Sequence, residues 1–92
     1  MDFKLAIERE ILDLRGLKCP LPALMARRAL ARRFPGTVLV VVADDPLAVL
    51  DIPYMCSGEG HTVMETYREG DLAHFVLVRG QDRGQDENGD AR

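Results

Sequence analysis

The run Thr37-Val-Leu-Val-Val-Val-Ala43 leaves this chain little freedom. It is β-branched and apolar on both alternations of a period-2 pattern, so as a strand it offers apolar side chains to both faces of a sheet. Such a strand is central and flanked on both edges. The remaining sequence has to supply its neighbours and a layer to cover them.

Before it, Glu10 to Leu14 reads as a first strand, ended by Arg15-Gly16. Residues 1–9 either extend that strand or fray. A helix follows from Pro20 to about Arg33. Pro20 suits the first helical turn, where its missing N–H is no loss. Pro22 sits where that tolerance runs out. On a 3.6-residue wheel Pro22, Met25, Ala26, Ala29 and Leu30 share one side, and Arg27, Arg28 and Arg32 share the other. Pro35-Gly36 ends the helix. After the apolar strand, Asp44-Asp45-Pro46 reads as a helix start, with Asp45 as N-cap and Pro46 in the first helical position. That helix runs to about Ser57, with Gly58 and Gly60 closing it. Pro53 either kinks it or begins a new turn capped by Asp51. Thr62–Arg68 and Leu72–Arg79 read as strands joined by a Glu69-Gly70-Asp71 hairpin turn.

The order is β-α-β-α-β-β. Two long crossovers imply parallel pairs, and the final hairpin adds an antiparallel strand. An α/β (α+β) two-layer sandwich, a mixed four-stranded sheet with two helices on one face, satisfies all of this. Residues 10–79 form a single domain. Residues 80–92 carry no large apolar side chain and set two Arg against four acidic residues, so they read as a disordered acidic tail.

Twelve Lys and Arg against fifteen Asp and Glu leave a formal charge of −3. That balance offers no general basic excess for nucleic acid or an anionic membrane, so direct nucleic-acid binding is not expected. With no Trp, two Tyr and three Phe, a base-stacking surface is not expected either. The longest apolar run, Val38–Ala43, falls far short of the roughly 20 residues a membrane span needs. Met1-Asp-Phe-Lys4 lacks the basic start and apolar core of a signal peptide. The expected location is the cytoplasm, and two cysteines there read first as free thiols.

The chemistry centres on Leu12-Asp-Leu-Arg-Gly-Leu-Lys-Cys19-Pro-Leu-Pro22. Cys19 immediately precedes a helix, where the positive end of the dipole favours a thiolate. With Pro20 and Pro22 lacking N–H groups, the backbone donors at this mouth are those of Leu21 and Ala23. Lys18 adds a nearby cation, and Arg15 is placed to add another. The expectation is a lowered thiol pKa at an accessible loop, which is what a nucleophilic sulfur needs. The bland alternative is a small capping residue.

There is no Cys-x-x-Cys to supply a resolving thiol. His61 and His74 have no positional link to Cys19 that would favour a cysteine–histidine dyad. Cys19, Cys56 and His61 lack metal-ligand spacing, so no metal and no cofactor are expected. What remains is a sulfur that accepts a group and passes it on. A persulfide fits, because the same N–H groups and cation stabilise its terminal anion.

Leu12-Asp-x-x-Gly16-Leu-x-Cys19-Pro-x-Pro22, followed by the Arg27-Arg28 helix, resembles the TusA/SirA-like family of small sulfur carriers. Asp44-Asp45-Pro46, Asp51-Ile52-Pro53-x-x-Cys56 and Gly60-His61 agree in order and spacing, so the similarity covers residues 11 to about 79. The resemblance implies strand order 1-2-4-3. It implies Cys19 as the carrier of a persulfide sulfur, received from a cysteine desulfurase or a rhodanese. It implies delivery to an acceptor protein in tRNA thiolation, molybdenum-cofactor assembly or sulfur metabolism. Leu21 stands where the family commonly has a charged or polar residue, which leaves the helix mouth more apolar.

Other residues divide between plain and functional readings. Cys56 shares a helical stripe with Val49, Ile52 and Pro53 and reads as a packed core thiol. Leu47, Leu50 and Tyr54 form a second stripe, either ordinary surface or a docking patch for a partner. Arg27, Arg28 and Arg32 are a solvated face or a steering surface for an acidic partner. Asp44 and Asp45 read as helix caps, and His61 as a turn organiser. The leading reading is a monomeric sulfur carrier, a transferase only in the relay sense. The rivals are a non-catalytic regulatory module with a structural or redox-sensing Cys19, and an RNA-binding module.

Overall fold

The computed structural model describes residues 10–81. Its elements are β1 (Glu10–Asp13), α1 (Leu21–Ala31), β2 (Val38–Ala43), α2 (Ala48–Glu59), β3 (Thr62–Glu69) and β4 (Leu72–Val78). The sheet order is β1-β2-β4-β3. β1 runs parallel to β2, and β4 is antiparallel to both β2 and β3. The crossover through α2 therefore does not create an adjacent parallel pair, as crossover length alone suggested. β4 inserts between β2 and β3, and the order is the one that the family resemblance implied.

Side-chain alternation explains why β2 is apolar throughout. Leu39, Val41 and Ala43 point to the helical layer and are fully buried. They lie opposite Leu77, Phe75 and Ala73 of β4, which complete the sheet's half of the core. Val40 and Val42 point to the other face, beside Ile11, Tyr67, His74 and Val76. There the Tyr67 and His74 rings stack at 4.6 Å. The helical half of the core comes from Ala23, Ala26 and Leu30 of α1 and Ala48, Ile52 and Cys56 of α2. Each fully buried side chain of Leu or Phe size contributes about 1.5–3 kcal/mol, so Leu30 and Phe75 are leading anchors.

Local starts and stops differ from the sequence reading in instructive ways. α1 begins at Leu21, with Pro20 at the N-cap and Pro22 in the second helical position, and ends at Ala31 rather than Arg33. The Cys19–Pro20 peptide bond is cis. α2 starts at Ala48, with Leu47 as its N-cap, so neither Asp45 nor Pro46 occupies the expected capping position. It continues through Pro53 without a second start at Asp51, and Gly60 closes it in the left-handed conformation at φ 84°. Gly58 lies inside the helix.

The Gly80 N–H donates to His61 Nδ1 at 2.9 Å, which ties the start of β3 to the chain leaving β4. Residues 1–9, read as extension or fraying strand, and 82–92 of the acidic tail lie outside the described residues. No described helix is long and apolar enough to cross a membrane.

Candidate functional site

In a parallel pair, the loops that leave the carboxyl ends of neighbouring strands emerge side by side, and open α/β sheets place their sites there. β1 and β2 are such a pair, and their two exit loops are stitched together. The Gly16 N–H donates to Asp44 Oδ1 at 3.0 Å, and the Cys19 N–H donates to Asp45 Oδ2 at 2.5 Å. Asp45 is 7% exposed. Its other oxygen accepts a longer bond, 3.4 Å, from the Leu47 N–H. The paired aspartates are thus tethers for the cysteine loop more than caps for α2. A buried carboxylate needs such donors, and the loop backbone supplies them.

Cys19 is exposed at the end of this tethered loop. It lies at one end of a groove of about 370 Å³ between the two helices. Pro20, Ala23, Leu24 and Arg27 line one wall, and Asp51, Tyr54, Met55, Gly58 and Glu59 line the other. Asp51, Tyr54, Met55 and Gly58 fall at the i, i+3, i+4 and i+7 positions of α2, one stripe beside the buried stripe that holds Cys56. Arg27 crosses the groove to Glu59 at 3.6 Å.

The electrostatics of the thiol run opposite to the sequence expectation. The Asp51 carboxylate, which shares the groove with Cys19, pushes the thiol pKa up. Desolvation and the negative charge of Asp45 push the same way. The cations expected to oppose them are elsewhere. Arg15 folds back onto Asp13, with Nη2 to Oδ2 at 2.7 Å. Lys18 lines a separate polar hollow with Asp44, Asp45, Arg68 and Asp71. The Leu21 N–H donates to the Lys18 carbonyl at 2.8 Å, so it is not a free donor for the sulfur. Pro22 and Ala23 are buried under the helix mouth, and the Leu21 side chain is 44% exposed.

Cys56 is buried among core residues, and burial alone lifts its thiol pKa to about 11. Of the residues read as a partner surface, Tyr54 and Arg27 reach the groove. Leu47 and Leu50 are exposed beyond it, as are Arg28 on α1 and Arg32 at its C-cap. Sequence reasoning missed Leu24, Met55 and Glu59 as lining residues, and read Asp51 only as a possible cap. The signal for Asp51 was its place one turn ahead of Tyr54 and Met55.

Three comparisons agree with this architecture. Residues 10–79 match the family model described as Sulfurtransferase TusA. The chain is 41% identical over 68 residues to the sulfur carrier protein TusA of Allochromatium vinosum, covering 74% of this chain and 90% of that one. A crystal structure of a SirA-like protein from Desulfitobacterium hafniense superposes with a TM-score of 0.67 at 26% identity, covering 77% of this chain and 97% of that one. With its four-stranded 1-2-4-3 sheet, its cysteine before the first helix and a family match over nearly all of the described residues, the chain belongs to the TusA family.

Proposed function

We propose that this chain is a sulfur carrier whose Cys19 accepts a sulfane sulfur as a persulfide and hands it to an acceptor protein. The donors we assign are a cysteine desulfurase or a rhodanese. The observation that carries the assignment is the contrast between the two thiols: Cys19 is exposed at the mouth of a groove, and Cys56 is buried. The sulfur-carrier relative from Allochromatium vinosum supports the same reading.

The transfer balances without an external oxidant or reductant. The Cys19 thiolate attacks the terminal sulfur of the donor persulfide. A new S–S bond forms at Cys19 Sγ, the donor's S–S bond breaks, and the donor cysteine leaves as a thiolate. Delivery is the reverse attack by an acceptor nucleophile, with Cys19 leaving.

The exposed apolar rim fits a macromolecular partner. Leu21, Leu24, Leu47, Leu50 and Tyr54 are between 42% and 83% exposed around the cysteine end of the molecule. Arg27, Arg28 and Arg32 add a basic edge suited to an acidic partner surface. Relay between proteins explains why no dyad histidine is needed beside the sulfur. The pathway served, whether tRNA thiolation, molybdenum-cofactor assembly or sulfur metabolism, is to be read from the acceptor.

Intact-protein mass spectrometry after incubation with a cysteine desulfurase, pyridoxal phosphate and cysteine tests the assignment. The expected result is a reductant-sensitive gain of one sulfur atom, lost in Cys19→Ser and kept in Cys56→Ser. No gain from that donor, or from a rhodanese with thiosulfate, would overturn it.

A further inference from the structure

The sheet has a second face, opposite the one the helices cover. In β2 and β4 the residues that alternate with the core set are Val38, Val40 and Val42, and Val76 and Val78. Register places them in rows: Val38 beside Val78, Val40 between Ile11 and Val76, and Val42 between Asp13 and His74. The outer face of a sheet covered on one side is ordinarily polar, with apolar side chains kept for the core. Here six branched apolar side chains share it. Val40, Val42 and Val76, with Ile11, Glu65, Tyr67 and His74, line a hollow of about 580 Å³. Ile11 and Tyr67 are 65% and 43% exposed, and Val38 and Val78 are half-buried.

We propose that this face is a docking surface for the chain's own residues 1–9, which lie across it in extended form with Phe3, Leu5 and Ile7 against the hollow. Met1, Phe3, Leu5 and Ile7 alternate with Asp2, Lys4, Ala6 and Glu8, so an extended segment has one apolar side. Lengthening β1 does not occupy them. Glu10 pairs with Leu39 and β2 begins at Val38, so β2 offers one more rung, to Arg9, and none to residues 1–8. That rung lies at the corner of the apolar face. Four strands span about 14 Å, and nine extended residues reach about 30 Å, so the segment is long enough to cross the hollow. A second copy fits less well. Strand spacing and rise give the patch a footprint of about 240 Å², well below the roughly 800 Å² that a stable interface buries per partner. The tether favours the segment further, because a short linker holds it at about millimolar effective concentration. Asp2, Lys4 and Glu8 stay in water, and β2 gains the cover on both faces that its unbroken apolar run asks for. The inference is independent of the Cys19 chemistry, since the groove lies between the helices on the other side of the sheet.

Two measurements on the full chain test it. The first is isotope-filtered NOE spectroscopy on wild type, with labelled and unlabelled chains mixed so that contacts within one chain are told from contacts between chains. The Leu5 and Ile7 methyls should show intramolecular NOEs to the Ile11, Val40 and Val76 methyls or to the Tyr67 ring. Random-coil shifts for residues 1–9 with no such NOEs overturn the proposal. NOEs to this face that arise only between chains overturn it too, and assign the cover to a second copy.

The second compares Leu5→Asp with Ile7→Asp, on the apolar side of the segment, against Lys4→Glu with Glu8→Lys on its other side. In urea titrations the apolar pair of substitutions should raise the unfolding equilibrium constant about tenfold or more, the scale of one buried Leu or Ile side chain. It should also increase binding of an apolar fluorescent dye, while the charge pair leaves both readings at the wild-type level. Equal urea midpoints for all three proteins, or an equal loss in the two variants, overturn the docking.

Discussion

Asp45→Ala is the sharpest perturbation of the scaffold under the site. Its carboxylate is nearly buried and accepts the Cys19 N–H at 2.5 Å, with the Leu47 N–H a weaker second donor at 3.4 Å. A hydrogen bond to a charged group contributes about 1.5–3 kcal/mol, and a bond as long as the second adds little. Two effects offset part of the loss. Cys19 is exposed, so water can reach the freed N–H, and the substitution ends the desolvation of a buried charge. The net expectation is a loss of about 1.5–2 kcal/mol, at the low end of the range. For a domain of this size that lowers Tm by roughly 6–16 °C. Asp45→Asn keeps an acceptor oxygen without its charge and should fall between alanine and wild type. Urea unfolding followed by far-UV circular dichroism measures both. The same variants remove one of the negative charges that raise the Cys19 thiol, so iodoacetamide should modify Cys19 faster in each. An Asp45→Ala protein within about 0.5 kcal/mol of wild type would refute the claim that this carboxylate holds the loop, since surface substitutions without such a role fall inside that band.

Further expectations test the rest of the architecture. Gly80→Ala puts a Cβ into the Gly60 backbone carbonyl, an overlap that only backbone movement relieves. It should cost about 1–3 kcal/mol, read from urea midpoints. His61 accepts the Gly80 N–H through Nδ1, and burial, then the nearby Arg79 charge, holds its pKa below the ordinary value. The unfolded imidazole therefore binds its proton first on acidification. This contribution to stability is fully present above about pH 6.5 and is lost as pH falls through that value toward the folded pKa. His61→Phe should flatten the dependence of urea midpoints on pH in this window, and an unchanged slope would assign it to other groups. Cys56, with its thiol at about 11, should stay unmodified by iodoacetamide in folded protein at pH 8. Cys56→Ser should lose about 1–3 kcal/mol for an unpaired buried hydroxyl.

The sheet and its covering layer were legible because they depend on patterns that neighbouring residues carry. Val38–Ala43 demanded a central strand, and the α1 stripe of Pro22, Ala26 and Leu30 demanded a partner face. Cys19 was legible as the site because Lys-Cys-Pro-Leu-Pro puts a small nucleophile before a helix. Its electrostatics were not. The helix end and Lys18 are local in sequence, and the two carboxylates that act on the sulfur come from Asp45 and Asp51, 26 and 32 positions along the chain. Asp45 was misassigned for the same reason. An Asp before a proline is an ordinary cap by local rules, and its real donor is a backbone N–H in another loop. Pro53 shows the limit of a local rule in the other direction. Its helix continues through it, with Ile52 and Cys56 buried on the core side.

The same residues clarify why a carrier tolerates carboxylates beside an atom that must bear negative charge. A helix end offers an exposed anion about 0.3–1 kcal/mol, and here prolines withdraw two of its donors while Leu21 spends a third on Lys18. The carboxylates of Asp51 and Asp45 push the thiol the other way, and they prevail. The anion is thus disfavoured in the free chain, and linkage sets what a partner can do about it: whatever docks beside Cys19 and favours its anion by some factor must bind the anionic form tighter than the neutral thiol by that same factor.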